Sequence, residues 1–300
     1  MHGEIVLLVN PTAGRGRGAR AAAPAAAALR AAGLTVRQLA GRDGPHALEL
    51  AREAVRGGAR ALVAVGGDGM VGLALQAVAG SAVPLGVIPA GTGNDFARAL
   101  RLPTADPAAA GRLAARVLGG GAGRAVDLGR VASAAGERWF GTVLACGLDS
   151  RVNDRANRMS RPGGRLRYDV ALLAELAALR PIRYRLVLDG VVHDLDATLI
   201  AVGNAPSYGG GMRICPGARL DDGRFDVTVV APCSRTRLLT VFPRVYRGTH
   251  VGHPLVSVHR AASVRLEAPD LAGYADGERI GLLPLSAEAV PGAVRVLAEG

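Results

Sequence analysis

The chain has 300 residues, and its 36 basic residues, all of them arginine, exceed its 25 acidic residues by 11. The absence of lysine excludes chemistry that depends on a lysine, such as a Schiff base or a Walker A phosphate loop. Hydrophobic residues make up 49% of the chain and charged residues only 20%, so the composition predicts a folded protein, and the length favours two domains.

The first part of the chain, to about residue 120, alternates short apolar runs with helix-forming stretches rich in Ala, Leu and Arg. The predicted strands are 5–9, 34–39, 61–65 and 85–88, and the predicted helices are 18–32, 45–57, 70–79 and 107–118. This alternation is typical of an α/β domain with a parallel sheet.

Strand-forming segments dominate from Arg124 onward. The predicted strands are 124–133, 139–146, 182–188, 197–202, 225–230 and 264–266, with helices near 166–179 and 235–247. The glycine-rich run 119–123 separates the part in which strands and helices alternate from the part in which strands dominate. We therefore expect residues 1–123 to form an α/β domain and residues 124–287 to form a β-rich domain.

The remaining composition bears on location and partners. Cys146, Cys215 and Cys233 are widely spaced, which argues against a disulfide framework or a structural zinc site. The start of the chain lacks a basic signal-peptide region, so we expect a cytoplasmic protein. The positive surplus indicates an anionic partner, and because aromatic residues are only 3%, a nucleotide or a membrane surface is favoured over nucleic acid.

Three glycine-rich turns follow predicted strands, at 10–18, 66–69 and 89–97. Ligands of open α/β sheets bind beyond the carboxyl ends of the strands, and glycines let backbone N–H groups approach an anion. Taken alone, the first turn is nearly as consistent with a surface turn, and the second with a tight turn capped by Asp68. The third packs Thr92, Asn94 and Asp95 between glycines, which favours a functional role.

These turns and four later segments together resemble the catalytic domain of the diacylglycerol kinase and sphingosine kinase superfamily, in its soluble bacterial branch. The later segments are 208–212, 216–218, 221–226 and 276–278. The resemblance implies an ATP-dependent lipid kinase that phosphorylates the hydroxyl of diacylglycerol, giving phosphatidic acid, or of a related lipid. It also implies an N-terminal domain similar to those of NAD kinases and phosphofructokinases, a C-terminal β-sandwich, and a last segment, 288–300, that returns to the first domain.

The resemblance assigns roles residue by residue. The nucleotide would be bound by Asn10, Pro11, Thr12, Ala13, Gly14, Gly66, Gly67, Asp68, Gly69, Met70, Val71, Gly72 and Thr92. Asp68, Asp95 and Asp127 would hold the catalytic Mg²⁺ through a carboxylate and water network. Asp276 would be the general base. A structural Mg²⁺ would be bound by the side chain of Asp222 and by the carbonyls of Arg219 and Arg224.

Plainer interpretations stay open for several of these residues. Asp276 precedes Gly277 and Asp222 precedes Gly223, which is the pattern of a turn, and Asp127 also fits a solvated strand end. The family usually has Thr and then Val-Asn-Glu after the second turn, whereas this chain has Met70 and Val71 to Leu73. A kinase similar to NAD kinase and a non-catalytic nucleotide- or lipid-binding regulator are therefore the competing hypotheses.

The resemblance also implies partners. We expect a membrane lipid substrate, peripheral association of the cytoplasmic protein with an anionic membrane surface through its arginines, and no nucleic acid. A homodimer is left open.

Overall fold

A computed structural model describes residues 3–121, 123–159 and 165–300. The chain forms two compact units, Met1–Leu128 with Val290–Gly300, and Gly129–Ala289. The boundary between Leu128 and Gly129 therefore falls inside the strand Arg124–Ser133 and not in the glycine run 119–123. Ala122 of that run lies outside the described residues. In the described part of the chain, no helix is both long and apolar enough to cross a membrane.

The strands and helices are numbered in chain order. The strands are β1 Ile5–Val9, β2 Val36–Leu39, β3 Ala61–Gly66, β4 Leu85–Pro89, β5 Arg124–Ser133, β6 Gly136–Phe140, β7 Val143–Gly147, β8 Ile182–Leu188, β9 Val191–Ala197, β10 Leu199–Gly203, β11 Phe225–Val230, β12 Val256–Ala261, β13 Ser263–Glu267, β14 Ala272–Ala275, β15 Glu278–Leu282 and β16 Leu285–Val296. The helices are α1 Ala13–Ala31, α2 Gly44–Arg56, α3 Asp68–Val78, α4 Asp95–Ala99, α5 Pro107–Gly119, α6 Leu148–Arg158, α7 Arg165–Ala177 and α8 Arg235–Arg247.

The first unit is an α/β layer. Strands β2, β1, β3 and β4 pair in that order and are parallel, and β16 joins β4 with Val296 beside Leu85. Strands β1, β3 and β4 are buried along their whole length, as expected for a parallel sheet covered by helices. Asp43 and Asp106 cap α2 and α5, where each carboxylate accepts backbone N–H bonds.

The second unit is an antiparallel β-sandwich. One sheet contains β12, β11, β10, β7, β14 and β15 in that order. The other includes β8 paired with β9 and β13, and β13 paired with the first part of β16. Buried side chains of both sheets share one core, in which Phe140 and Phe225 stack with ring centroids 5.7 Å apart. The predicted fold class, an α/β domain and a β-sandwich, is confirmed.

Two predicted strands are each broken in the structure. Residues 139–146 form the end of β6 and most of β7, interrupted at Gly141 and Thr142. Residues 197–202 are divided at Thr198 between β9 and β10. Sequence patterns also missed α4, α6, β9, β12, β14 and β15. The 11 residues of α6 contain few apolar side chains, and β14 (AGYA) is only 4 residues long, so neither has a clear hydrophobic period.

Candidate functional site

The three glycine-rich turns meet at the carboxyl ends of the parallel strands of the first unit. A Cβ on Gly91 would lie 2.4 Å from the Cα of Gly67, so the backbones of the second and third turns approach too closely for a side chain at Gly91. Arg17 joins the first and third turns, because its Nη2 donates to the Gly91 carbonyl at 2.8 Å and its Nε to the Gly14 carbonyl at 3.1 Å. The Arg17 guanidinium thus stabilises the turns themselves.

The first turn leaves β1 and opens α1. Asn10 accepts hydrogen bonds at its Oδ1 from the backbone N–H of Thr12 at 3.1 Å and from its hydroxyl at 2.9 Å. Gly14, Arg15 and Gly16 all have positive φ, at 57°, 61° and 84°, so the regular helix begins after them. Within the turn, the Gly16 N–H donates to the Thr12 carbonyl at 3.3 Å.

The Asp68 carboxylate in the second turn binds backbone N–H groups of the third turn. Its Oδ2 accepts the backbone N–H of Asn94 and its Oδ1 that of Asp95, each at 2.7 Å. Asp68 therefore binds the N-terminus of α4 and holds the third turn to the second. Asn94 adopts φ 56° and exchanges two hydrogen bonds with Gly91, at 2.9 and 3.1 Å.

The other two predicted catalytic carboxylates of this unit are buried, Asp95 and Asp127 each being 4% exposed. Asp95 is the first residue of α4, directly beside the Asp68 carboxylate. Asp127 lies on β5, and its Oδ1 accepts the backbone N–H of Gly292 on β16 at 2.8 Å. Asp127 thus secures the returning strand within this unit.

The predicted nucleotide residues differ in what they expose. Thr12, Gly69 and Thr92 are exposed, and a Cβ added at Gly72 would meet open space, whereas one added at Gly14 would lie 2.2 Å from the Ala90 carbonyl oxygen. Met70 and Val71, in contrast, are 7% and 4% exposed. Their side chains belong to the core, so only their backbone can serve a nucleotide.

These residues fit a nucleotide with a hydrated Mg²⁺. The cradle is lined by glycine backbone, with a helix N-terminus behind two of the turns, which suits a polyphosphate. Mg²⁺ in such sites keeps several waters and needs only one or two carboxylates. Each Asp68 oxygen has lone-pair capacity beyond its one backbone bond, so it can accept a water ligand of the ion.

Asp276 occupies a tight hairpin turn in the second unit. It connects β14 to β15 with Gly277, and the two residues have φ 51° and 83°, the pattern of a type I′ turn. Its Oδ2 accepts the Gly141 N–H at 2.7 Å, and its Oδ1 accepts the Thr142 N–H at 2.8 Å and the Thr142 hydroxyl. The carboxylate is thereby held against the break between β6 and β7.

Two buried polar residues beside Asp276 were missed by the sequence analysis. Thr142 is 4% exposed and Asn204 is fully buried. The Asn204 side chain donates to the Gly141 carbonyl at 3.0 Å, and its backbone N–H donates to the Thr142 carbonyl at 2.8 Å. For Asn204, the signal in the sequence was a polar residue directly after an apolar strand that ends at Gly203.

The Asp222 carboxylate forms an ion pair with an arginine. Its Oδ1 accepts the Arg224 N–H at 3.1 Å, its Oδ2 pairs with the Arg260 guanidinium, and Arg260 also reaches Asp226 at 3.4 Å. Arg219 and Arg224 form ion pairs with Asp221 and Asp189. Because the Arg260 guanidinium already neutralises Asp222, a structural Mg²⁺ there would have to displace it, and its binding by Asp222 with the carbonyls of Arg219 and Arg224 stays a prediction. Among the described residues, no group of three or more His, Cys, Asp or Glu could hold a metal ion.

A part-buried acid and phenol pair lies elsewhere in the same unit. The Tyr208 hydroxyl donates to Asp149 Oδ2, and Tyr208 opens the predicted segment 208–212. Burial raises the pKa of Asp149, against the opposing effect of the Tyr208 hydrogen bond. Burial, followed by the nearby Asp149 charge, raises the pKa of Tyr208 well above its usual range. Tyr208 therefore keeps its hydroxyl proton at neutral pH.

Comparison with known proteins places the two units in described families. Residues 4–131 match the diacylglycerol kinase catalytic domain, and residues 142–298 match the YegS C-terminal NAD kinase beta sandwich-like domain. A protein of Mycobacterium tuberculosis strain H37Rv named diacylglycerol kinase is 48% identical over 98% of this chain and 95% of its own length. A protein of Stenotrophomonas maltophilia strain K279a named "Probable lipid kinase YegS-like" is 30% identical over 81% of this chain and 80% of its own.

The fold is similar to solved structures. The crystal structure of a diacylglycerol kinase from Bacillus anthracis strain Sterne aligns with a TM-score of 0.72 at 21% identity, over 99% of this chain and 97% of that one. A second solved chain from the same strain aligns with a TM-score of 0.80 at 23% identity, over 99% and 95%. With both domains matched and a relative at 48% identity over nearly the whole chain, the chain belongs to the diacylglycerol kinase-like family of bacterial lipid kinases.

Proposed function

We propose that this protein is a diacylglycerol kinase, which transfers the γ-phosphoryl group of ATP to the free hydroxyl of diacylglycerol and gives phosphatidic acid. The observation that carries the proposal is the meeting of three glycine-rich turns at the ends of β1, β3 and β4, where backbone N–H groups can surround a polyphosphate. The 48% identical relative named diacylglycerol kinase supports the choice of acceptor.

On this proposal, the chain binds and orients the nucleotide mainly through backbone. The segments 10–14 and 66–72, with Thr92, would line the phosphates, and Asp68 would keep the second and third turns in register through its two 2.7 Å bonds. Bound Mg²⁺ would neutralise phosphate charge, and Asp68 and Asp95 would hold its water ligands.

Asp276 is the proposed general base. As the acceptor oxygen forms its bond to the γ-phosphorus, the bond from that phosphorus to the β–γ bridging oxygen breaks, ADP leaves, and the proton of the acceptor hydroxyl passes to the Asp276 carboxylate. Its three hydrogen bonds to Gly141 and Thr142 would keep the carboxylate in one orientation during this transfer.

The acceptor lies in a membrane, so we propose that the protein works in the cytoplasm as a peripheral protein on an anionic bilayer. The surplus of 11 positive charges supports this through attraction to anionic headgroups. A related lipid is the second candidate acceptor, because one relative is named "Probable lipid kinase YegS-like".

The experiment is an acceptor panel with γ-labelled ATP and Mg²⁺. The acceptors are diacylglycerol in phosphatidylglycerol vesicles, a total lipid extract without added diacylglycerol, and NAD. We expect label in phosphatidic acid. Label in another lipid alone would replace the acceptor, label in NAD would favour a kinase similar to NAD kinase, and ATP binding without labelled product would favour a non-catalytic regulator.

A further inference from the structure

Helix α8 carries an unusual composition for the surface of the second unit. It reads RTRLLTVFPRVYR, with four arginines and no acidic residue. Its Leu239 is 57% exposed and its Tyr246 is 48% exposed. Large apolar side chains are thus left in solvent on a strongly cationic helix.

The helix has two distinct apolar sides. Leu238, Val241 and Val245 are buried and attach α8 to the unit. Leu239 and Tyr246 lie about 100° around the axis from Leu238 and Val245 respectively, since successive helical residues are rotated by that angle. The second apolar side therefore faces away from the core.

The outward apolar side forms one continuous stripe. Leu239, Phe242 and Tyr246 are spaced i, i+3 and i+7, which places them on the same face. The rings of Phe242 and Tyr246 meet edge to face with centroids 6.0 Å apart. We call these three residues the α8 stripe.

The arginines of α8 are available to an external anion. Arg235, Arg237, Arg244 and Arg247 are exposed, and within the described chain none of them forms an ion pair with a carboxylate. Other exposed arginines, such as Arg185, pair with a neighbouring acid. The positive charge of α8 is therefore not balanced by a carboxylate of the described residues.

We propose that α8 is the surface through which this protein docks on a bilayer containing anionic lipid. An aromatic and aliphatic stripe beside unbalanced arginines is the chemistry of a helix that lies in the membrane interface, with the apolar face among the acyl chains and the arginines at the headgroups. A partner protein of ordinary surface would match the stripe but not four unpaired cations. This inference rests on the proposed function for its biological sense, because a lipid acceptor must be reached at a membrane.

The test measures co-sedimentation of the full-length protein with phosphatidylglycerol vesicles and with phosphatidylcholine vesicles. The stripe variant carries Leu239→Gln and Tyr246→Gln, and the charge variant carries Arg244→Gln and Arg247→Gln. We expect the stripe variant to bind phosphatidylglycerol vesicles about tenfold more weakly. The charge variant should lose about thirtyfold at low salt, from about fivefold for each arginine. Wild-type binding should weaken with salt and be much lower on phosphatidylcholine.

Matched controls change comparable exposed residues to glutamine on strands of the same unit. Val191→Gln with Val192→Gln changes two apolar residues that are 59% and 53% exposed. Arg138→Gln with Arg183→Gln removes two exposed arginines of β6 and β8. Both controls should bind vesicles nearly as wild type does, and all four variants should melt within the same range because every changed side chain is at the surface.

Kinase assays separate this inference from the proposed function. On short-chain diacylglycerol dispersed without vesicles, the α8 variants should turn over as wild type does, and they should slow only on vesicles. If no diacylglycerol is phosphorylated but vesicle binding still falls in the α8 variants, the proposed function fails and the docking surface stands. Wild-type binding to neither vesicle, equal binding by wild type and α8 variants, or self-association through α8 in place of vesicle binding would each overturn the proposal.

Discussion

Replacing Asp276 with asparagine separates two roles that the structure gives to one carboxylate. Asn-Gly is as good a type I′ turn as Asp-Gly, and asparagine tolerates the φ of 51°. The hairpin between β14 and β15 should therefore survive. One amide end can still accept from Thr142, but the other now presents N–H to the N–H of Gly141, which loses its 2.7 Å acceptor.

The size of the effect follows from these contacts. A part-buried donor left without an acceptor costs about 1–3 kcal/mol, and the bonds that remain are no longer strengthened by charge. Asp276→Asn should thus lower the free energy of unfolding by about 2–3 kcal/mol. Thr142→Val keeps the shape, removes only the hydroxyl bond to Asp276, and should cost about 1–2 kcal/mol.

Denaturant unfolding and steady-state kinetics, run at a temperature where both variants stay folded, separate the roles. If Asp276 is the base, Asp276→Asn should lower kcat by about 10²–10⁴-fold with little change in KM for ATP, whereas Thr142→Val should remain within about tenfold of wild type. Unfolding of Asp276→Asn at the wild-type denaturant concentration would refute the structural reasoning. Near wild-type kcat in the same variant would leave Asp276 as a turn residue and move the search for the base to Asp68, Asp95 and Asp127.

Three further outcomes are expected. Burial lowers the pKa of His250 from its ordinary 6.5, so the stability that its neutral ring contributes should be present above pH 6.5 and lost as the pH falls through the lower folded-state pKa. His250→Gln should therefore reduce the dependence of the unfolding free energy on pH in that window. An unchanged slope would exclude His250 as the cause. Gly91→Ala places a Cβ 2.4 Å from a backbone Cα and should lower the free energy of unfolding by about 2–3 kcal/mol. Gly72→Ala, which adds a Cβ in open space on α3, should raise the free energy of unfolding by about 0.5–1 kcal/mol in the same thermal melts. Equal shifts of the melting temperature would contradict the close packing of the turns. Because Arg260 neutralises Asp222, the melting temperature of the wild type should be the same in Mg²⁺ and in EDTA. Arg260→Met should melt at a lower temperature and be partly rescued by Mg²⁺. A melting temperature of the wild type that depends on Mg²⁺ would instead support the metal site expected from the sequence.

The sequence predicted the fold class because apolar runs and helix-forming stretches alternate regularly in the first unit. Buried strands such as Ala61–Gly66 are uninterrupted apolar runs between helices, a pattern that tertiary contacts rarely override. The sandwich was predicted less well, since its short strands depend on their neighbours. The break at Gly141 and Thr142 is fixed by a carboxylate more than 130 residues away in sequence, as the 2.7 Å bond to Asp276 shows.

The sequence predicted that the glycine-rich turns follow strands, but it did not predict the contacts that the turns make. Glycine turns after strands indicated where a ligand could bind, whereas the partner of each polar side chain depends on the folded chain. Arg17 and Asp222 illustrate this, since their charges are satisfied by a carbonyl of Gly91 and by Arg260. Burial of Met70 likewise became visible only in the structure, although its apolar side chain was already a departure from the family pattern.

The most direct test of the proposed activity is the stoichiometry of the reaction. ADP release and phosphatidic acid formation are measured together, with purified protein, ATP, Mg²⁺ and diacylglycerol in phosphatidylglycerol vesicles. The proposed phosphoryl transfer predicts one phosphatidic acid for each ADP, and no ADP when diacylglycerol is omitted. ADP release without phosphatidic acid, or no release of ADP in the complete mixture, would contradict it.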